Sequence, residues 1–258
     1  MELNLNELLQ GKPTIIKGKK YLSAEAYVTP FLERMSKFTN DFRIQVKLPD
    51  QMSLTKNEAG NIEDTVFNRV WIQAVLPEDI AFENHKQVVG MVYGLDVRKP
   101  IIKFYKGGLN MACTNLCVFS PEYLSIQEIA PESPVNYRAV TNIMDMALDT
   151  AAQLRKLQSI EIPYIEQDIN ENLGRWVRST MKCSYDTGYG KVKLASSLPV
   201  DAYKLLYEKE DSPYYVQPGA SCTMFDMYNA MTQVITDDNR DIMNKVEKTL
   251  LIKDILLF

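Results

Sequence analysis

The chain is poor in histidine: its 258 residues hold one, His85. A nucleophilic serine or cysteine normally takes its base from a histidine. A single imidazole in a charged turn therefore supports neither a protease-like dyad nor a triad, and no G-x-S-x-G elbow occurs. Cysteine is sparse too. Cys113, Cys117, Cys183 and Cys222 are scattered through apolar settings, as in a chain that keeps its thiols reduced. Structural zinc asks for two close Cys/His pairs. Only Cys113-x-x-x-Cys117 is close, so both are expected to pack as small apolar residues, with no metal. Neither the phosphate-loop nor the dinucleotide pattern is present. Gly107-Gly108 after Lys106, and Gly188-x-Gly190-Lys191, fall short of both and are expected to be turns. Asp145 and Asp149 stand one helical turn apart and are expected to form a solvated face rather than an ion site. No cofactor and no catalysis are expected.

Long apolar runs are missing as well. Nothing approaches the roughly 20 residues that cross a bilayer, so no membrane partner is expected. MELNLNELLQGK places acids before its first lysine and has no small-residue cleavage site. That is unlike a signal peptide, and a cytoplasmic location is expected.

What is there is ordinary globular material, 46% apolar and 24% charged. The charge is unevenly spread. Residues 1–120 carry 15 Lys/Arg against 13 Asp/Glu, and residues 121–258 carry 14 against 20. A polyanion is therefore expected on the first half.

The stretch Ile101 to Phe119, IIKFYKGGLNMACTNLCVF, separates two textures. Residues 1–12 suggest a short amphipathic segment, and Lys12 to Tyr21 a basic β-turn. Ser23 is placed to cap a helix over 24–36 with Pro30 inside it. From Asp41 the period becomes two. FRIQVKL sets Phe42, Ile44, Val46 and Leu48 against Arg43, Gln45 and Lys47. Strands are also expected over 65–76, 87–97 and 101–105, with Gly90 and Gly94 marking a bulge or curvature. After Pro121 the spacing predicts helices over 135–157, 164–181, 200–208, 223–236 and 239–252. The expectation is one α+β domain, 1–258. Its N-terminal half (1–120) is a curved antiparallel sheet with a short helix, and its C-terminal half (121–258) is mainly helical.

Basic and aromatic residues interleave. Arg43 and Lys47 share the polar face of one strand, and Arg69 and Trp71 a face of the next. Arg98, Lys99, Lys103, Tyr105 and Lys106 cluster at the fourth. Arg175, Trp176, Arg178, Lys182, Tyr185, Tyr189, Lys191 and Lys193 form a second group. Single-stranded nucleic acid is held by a positive groove with aromatic stacking platforms. The plainer reading is core tryptophans and ordinary surface charge.

KFYKGGLNMACTN, running into LCVF, resembles a segment of a phage- and plasmid-borne family of uncharacterised proteins, domain of unknown function family 932. The resemblance continues at Thr223-Met224-Phe225-Asp226-Met227-Tyr228-Asn229-Ala230-Met231-Thr232, before DDNRD, and spans about residues 65–258. Where that family places glycine after the central asparagine, this chain has Leu116. The resemblance implies a phage or mobile-element setting in a host-cell cytoplasm. Its sheet-plus-helix arrangement is similar to that of single-strand annealing proteins of the Redβ and RecT kind. The expectation is a non-enzymatic, homo-oligomeric protein that binds single-stranded DNA and promotes annealing and recombination. Contacts are expected from Arg43, Lys47, Arg69, Lys103, Tyr105 and Lys106. The alternative is a phage protein that inhibits a host defence component by protein–protein binding, for which the acidic second half and apolar tail Leu256-Leu257-Phe258 are suited. An enzyme of unrecognised type ranks last.

Overall fold

The computed structural model describes residues 5–6, 9–10, 14–16, 18–47, 69–94, 100–111, 115–118, 121–162, 184–186, 191–193, 198–217, 219–237 and 242–256. The fold is α+β, with helices and a curved antiparallel sheet. Strands β3 (Phe42–Lys47), β4 (Arg69–Asp79), β5 (His85–Gly94), β6 (Ile101–Asn110) and β7 (Leu116–Cys117) follow one another in that order. β8 (Leu124–Glu128) also pairs with β6. No helix among the described residues is long and apolar enough to cross a membrane. The chain falls into two compact units, each with its own apolar core.

The first unit comprises Met1–Glu78, Gln87–Lys106 and Glu122–Met146. It opens with a hairpin of β1 (Thr14–Ile16) and β2 (Lys19–Tyr21), whose turn uses Gly18 at φ +73°. That conformation favours glycine, and the expected basic turn is there. Helix α1 (Ala24–Met35) follows. Ser23 occupies the N-cap position, but its side chain makes no capping bond. Pro30 lies within a single helix. Ala24, Tyr27, Val28, Phe31 and Met35 are its buried stripe, the i, i+3, i+4 spacing of a helix lying on a core. They pack on Ile72, Ala74, Val89, Met91, Ile102 and Phe104 from alternate positions of β4, β5 and β6. Tyr27 stacks on Tyr93 at 5.4 Å and Phe31 on Phe104 at 6.1 Å. Full burial of an aromatic such as Phe31 contributes about 2 kcal/mol from the apolar surface it removes from water. Helix α2 (Arg138–Asp145) closes this unit, and Tyr137 ahead of it donates to the Tyr27 carbonyl.

The second unit comprises Asp79–Lys86, Gly107–Pro121 and Ala147–Phe258. It holds α3 (Thr150–Gln158), the β9–β12 pair (Glu161–Ile162 with Cys222–Thr223), the hairpin of β10 (Ser184–Asp186) and β11 (Lys191–Lys193), α4 (Leu198–Tyr207), α5 (Met224–Asp237) and α6 (Lys245–Leu256). Helix α5 carries the core, burying Phe225, Met227, Tyr228, Ala230, Met231 and Ile235 against Leu154, Leu157, Ala202 and Leu206. It starts at a reciprocal cap. Thr223 Oγ1 accepts from the Asp226 amide at 3.2 Å, and Asp226 Oδ2 accepts from the Thr223 amide at 2.7 Å. Two orphan donors are thereby satisfied. At its far end Lys245 Nζ donates to the Thr236 carbonyl at 2.6 Å.

Three expectations are corrected. Gly107-Gly108 is not a turn but lies inside β6. A Cβ on Gly107 would come 2.5 Å from the Cys117 carbonyl oxygen, and one on Gly108 2.7 Å from Ile80 Cδ1. These glycines serve close approach, a role that sequence does not separate from turning. The single helix over 135–157 is two, because the backbone at Met146 is extended, with ψ 134°. Asp145 and Asp149 therefore belong to different elements. His85, expected in a charged turn, is buried. The segments 1–12 (apart from 5–6 and 9–10), 163–181 and 257–258 lie outside the described residues, as do the predictions made there.

Candidate nucleic-acid interface

The pairing of β3 with β4 places Lys47 opposite Arg69, Gln45 opposite Trp71 and Arg43 opposite Gln73. Strand residues alternate between faces. These six positions therefore share the sheet face opposite the one packed on α1. The Trp71 indole N–H donates to the Tyr105 hydroxyl, which brings Tyr105 of β6 onto that face. Lys103, two residues earlier, has the same parity. Five of the six expected contact residues are thus brought to one face of the first unit: Arg43, Lys47, Arg69, Lys103 and Tyr105.

Lys106 is not among them. It has the opposite parity, and its Nζ donates to the carbonyls of Met144 at 2.8 Å and Met146 at 2.6 Å, where α2 ends. Burial lowers its pKa, opposed by the Asp145 and Glu78 carboxylates.

Depth divides the remainder. Tyr105 is 0% exposed and Lys103 2%, and Lys106 on its own face is 5% exposed. The expectation that these three touch phosphates or bases is corrected: they have no surface to offer. Alternation gave Lys103 and Tyr105 a polar-face parity, but β6 is interior to the strand order, and that position is invisible in local sequence. Trp71 is buried as well, so it is no stacking platform. Burial raises the Tyr105 hydroxyl far above the ordinary phenol range, outweighing its hydrogen bonds with Trp71 and Gln73. Its ring lies on Gly90 of β5, where a Cβ would come 2.0 Å from Tyr105 Cζ. Gly90, noted for curvature, is there to admit this ring.

Arg43 and Arg69 are half-buried, at the edge strand β3 and its neighbour. Lys47 shares their face by register. Arg98, Lys99, Arg175, Trp176, Arg178, Lys182 and Tyr189 lie outside the described residues. Tyr185, Lys191 and Lys193 occupy the β10–β11 hairpin of the second unit. Among the described residues, no three His, Cys, Asp or Glu side chains gather to hold a metal ion.

The two stretches that carried the resemblance meet inside the second unit. Asn115 Nδ2 donates to the Asn229 carbonyl and to the Tyr214 hydroxyl, both at 2.8 Å. Cys117 lies against the Tyr228 hydroxyl. Their contact is a buried polar joint. No family model matches the chain, and no match is found among curated proteins or solved structures.

Proposed function

We propose that the protein binds single-stranded DNA along the β3 edge, through Arg43, Lys47 and Arg69, and promotes annealing and recombination without catalysis. The observation that carries this reading is the register: Lys47 stands directly opposite Arg69, with Arg43 on the same face of the edge strand. Three basic positions on one face of two neighbouring strands suit the charge-assisted bonds that phosphates accept. At about 3.3 Å per residue, Arg43 and Lys47 stand about 13 Å apart, a row that suits an extended polyanion. With Trp71 and Tyr105 buried, the contact is to backbone, and recognition is indifferent to sequence.

The resemblance supplies the phage or mobile-element setting, the host cytoplasm and the homo-oligomer that annealing calls for. The test is the affinity of the full chain for a fluorescent oligothymidylate across a salt series. Steep loss of affinity with salt supports the reading, because neutralised phosphates release counterions. No binding at low salt sinks it. In that case, a stoichiometric host protein recovered from nuclease-treated lysate would turn the account to inhibition of a defence component.

A further inference from the structure

His85 begins β5 and is 1% exposed. Its ring meets Phe82 edge-on at 5.3 Å and 71°, and lies 6.2 Å from Phe225 of α5. Phe82 and Phe225 meet edge-on at 5.2 Å. The three rings form one cluster inside the second unit. Neither Nδ1 nor Nε2 of His85 makes a hydrogen bond of ordinary geometry. A neutral imidazole sits there with one donor and one acceptor unused, whereas an imidazolium would bury a full charge as well as two unused donors.

The turn that carries this ring is otherwise well held. The Ile80 amide donates to the His85 carbonyl at 2.9 Å, and the Met111 amide to the Asn84 carbonyl at 2.9 Å. From α3, Arg155 donates to the Ala81 carbonyl, and Gln158 donates to Glu83 at 3.3 Å. Among the described residues, the charged groups on the elements that hold this turn are Glu83 and Lys86 beside the ring in the chain, Arg155 of α3 on the Ala81 carbonyl, and Asp226 next to Phe225 in α5. Asp226 is already committed to Thr223. Burial pulls the imidazole below its ordinary range, against weaker opposing pulls from Glu83 and the Phe82 backbone.

We propose that His85 is an acid-released latch: neutral, it seats the Ile80–Lys86 turn on Phe225, and protonated, it lifts the turn and bares Phe82 and Phe225. The opened form takes up the proton that the closed form refuses. Below about pH 6.5, the ordinary histidine value, the opened population therefore grows about tenfold per pH unit. The opening is local, leaving the rest of the unit folded. As the chain has one histidine, no other imidazole titrates in this window.

Hydrogen exchange on the full chain tests it, read as protection factors corrected for intrinsic exchange. Between pH 6.5 and 5.5 the Ile80 and Met111 amides of the unmodified protein should lose about tenfold in protection. In His85→Phe, which keeps an aromatic ring but takes no proton, they should lose none. A loss below about threefold, or an equal loss in the variant, overturns the proposal. If the variant does not fold, the NMR titration of the single imidazole decides. A latch requires the closed ring to stay neutral down to about pH 5.5, and an ordinary titration near 6.5 contradicts it.

Discussion

Lys106 Nζ donates to the Met146 carbonyl at 2.6 Å, and with the Met144 carbonyl at 2.8 Å it closes the C-terminus of α2. Helix ends leave carbonyls without intrahelical partners, and a buried cation is a strong donor to them. Lys106→Met keeps the stem and removes the donor. It should cost about 1–3 kcal/mol, read as a lower denaturant midpoint at unchanged slope. Single-strand affinity of the folded variant should stay within about twofold, since Lys106 does not lie on the basic face. A large loss of affinity at unchanged stability would return Lys106 to the interface.

The Tyr105 ring lies over Gly90, where a Cβ would fall 2.0 Å from Tyr105 Cζ. Gly90→Ala should destabilise by about 1–3 kcal/mol or more through overpacking. Tyr105→Leu in the same chain should recover part of that loss, because the two sites couple. Strict additivity in urea melts would show that the ring does not rest on the glycine.

Asn115 joins β7's approach to helix α5 within the second unit through the Asn229 carbonyl and the Tyr214 hydroxyl. Asn115→Ala removes one of two side-chain donors to the Asn229 carbonyl, which keeps the Thr232 hydroxyl at 2.9 Å, and should cost about 1 kcal/mol. In a double-mutant cycle with Tyr214→Phe the losses should fall short of additive, as both substitutions break one bond.

Five tyrosines, the buried Tyr27, Tyr93, Tyr105 and Tyr228 and the half-buried Tyr137, hold their protons more tightly than ordinary phenols, with desolvation the largest cause in each. The unfolded chain releases them near pH 10 while the folded chain retains them. Stability from this source is whole below about pH 10 and falls as pH rises beyond it. The Cys222 thiol, raised by burial, acts in the same direction, and Lys106, lowered by burial, pulls the other way, one group against six. The urea midpoint should therefore drop between about pH 9.5 and 11, with tyrosinate absorbance rising together with unfolding.

Local pattern made much of this legible. The period-two run at Phe42 to Lys47 became β3 with the expected apolar and polar faces, and the helix expected over 223–236 became α5. That Arg43 and Lys47 share one strand face, and Arg69 and Trp71 another, was likewise readable from alternation, and the strand pairing makes the two one face. What local pattern lacks is depth. Lys103 and Arg43 look alike on their strands, yet one lies on an interior strand and the other on an edge. The extended residue Met146, where the long helix breaks, has no proline or glycine to announce it. The buried donor that accompanies the break, Lys106, is 40 residues away.

The central claim is that Arg43, Lys47 and Arg69 neutralise the phosphates of a single strand. It is tested most directly by the slope of log affinity against log salt for an oligothymidylate, compared between the native chain and the triple Arg43→Gln, Lys47→Gln, Arg69→Gln variant. Each single-strand phosphate contact contributes about 0.7 to that slope, so the variant's slope should be shallower by about 2. A variant that folds and keeps the native slope would contradict the account.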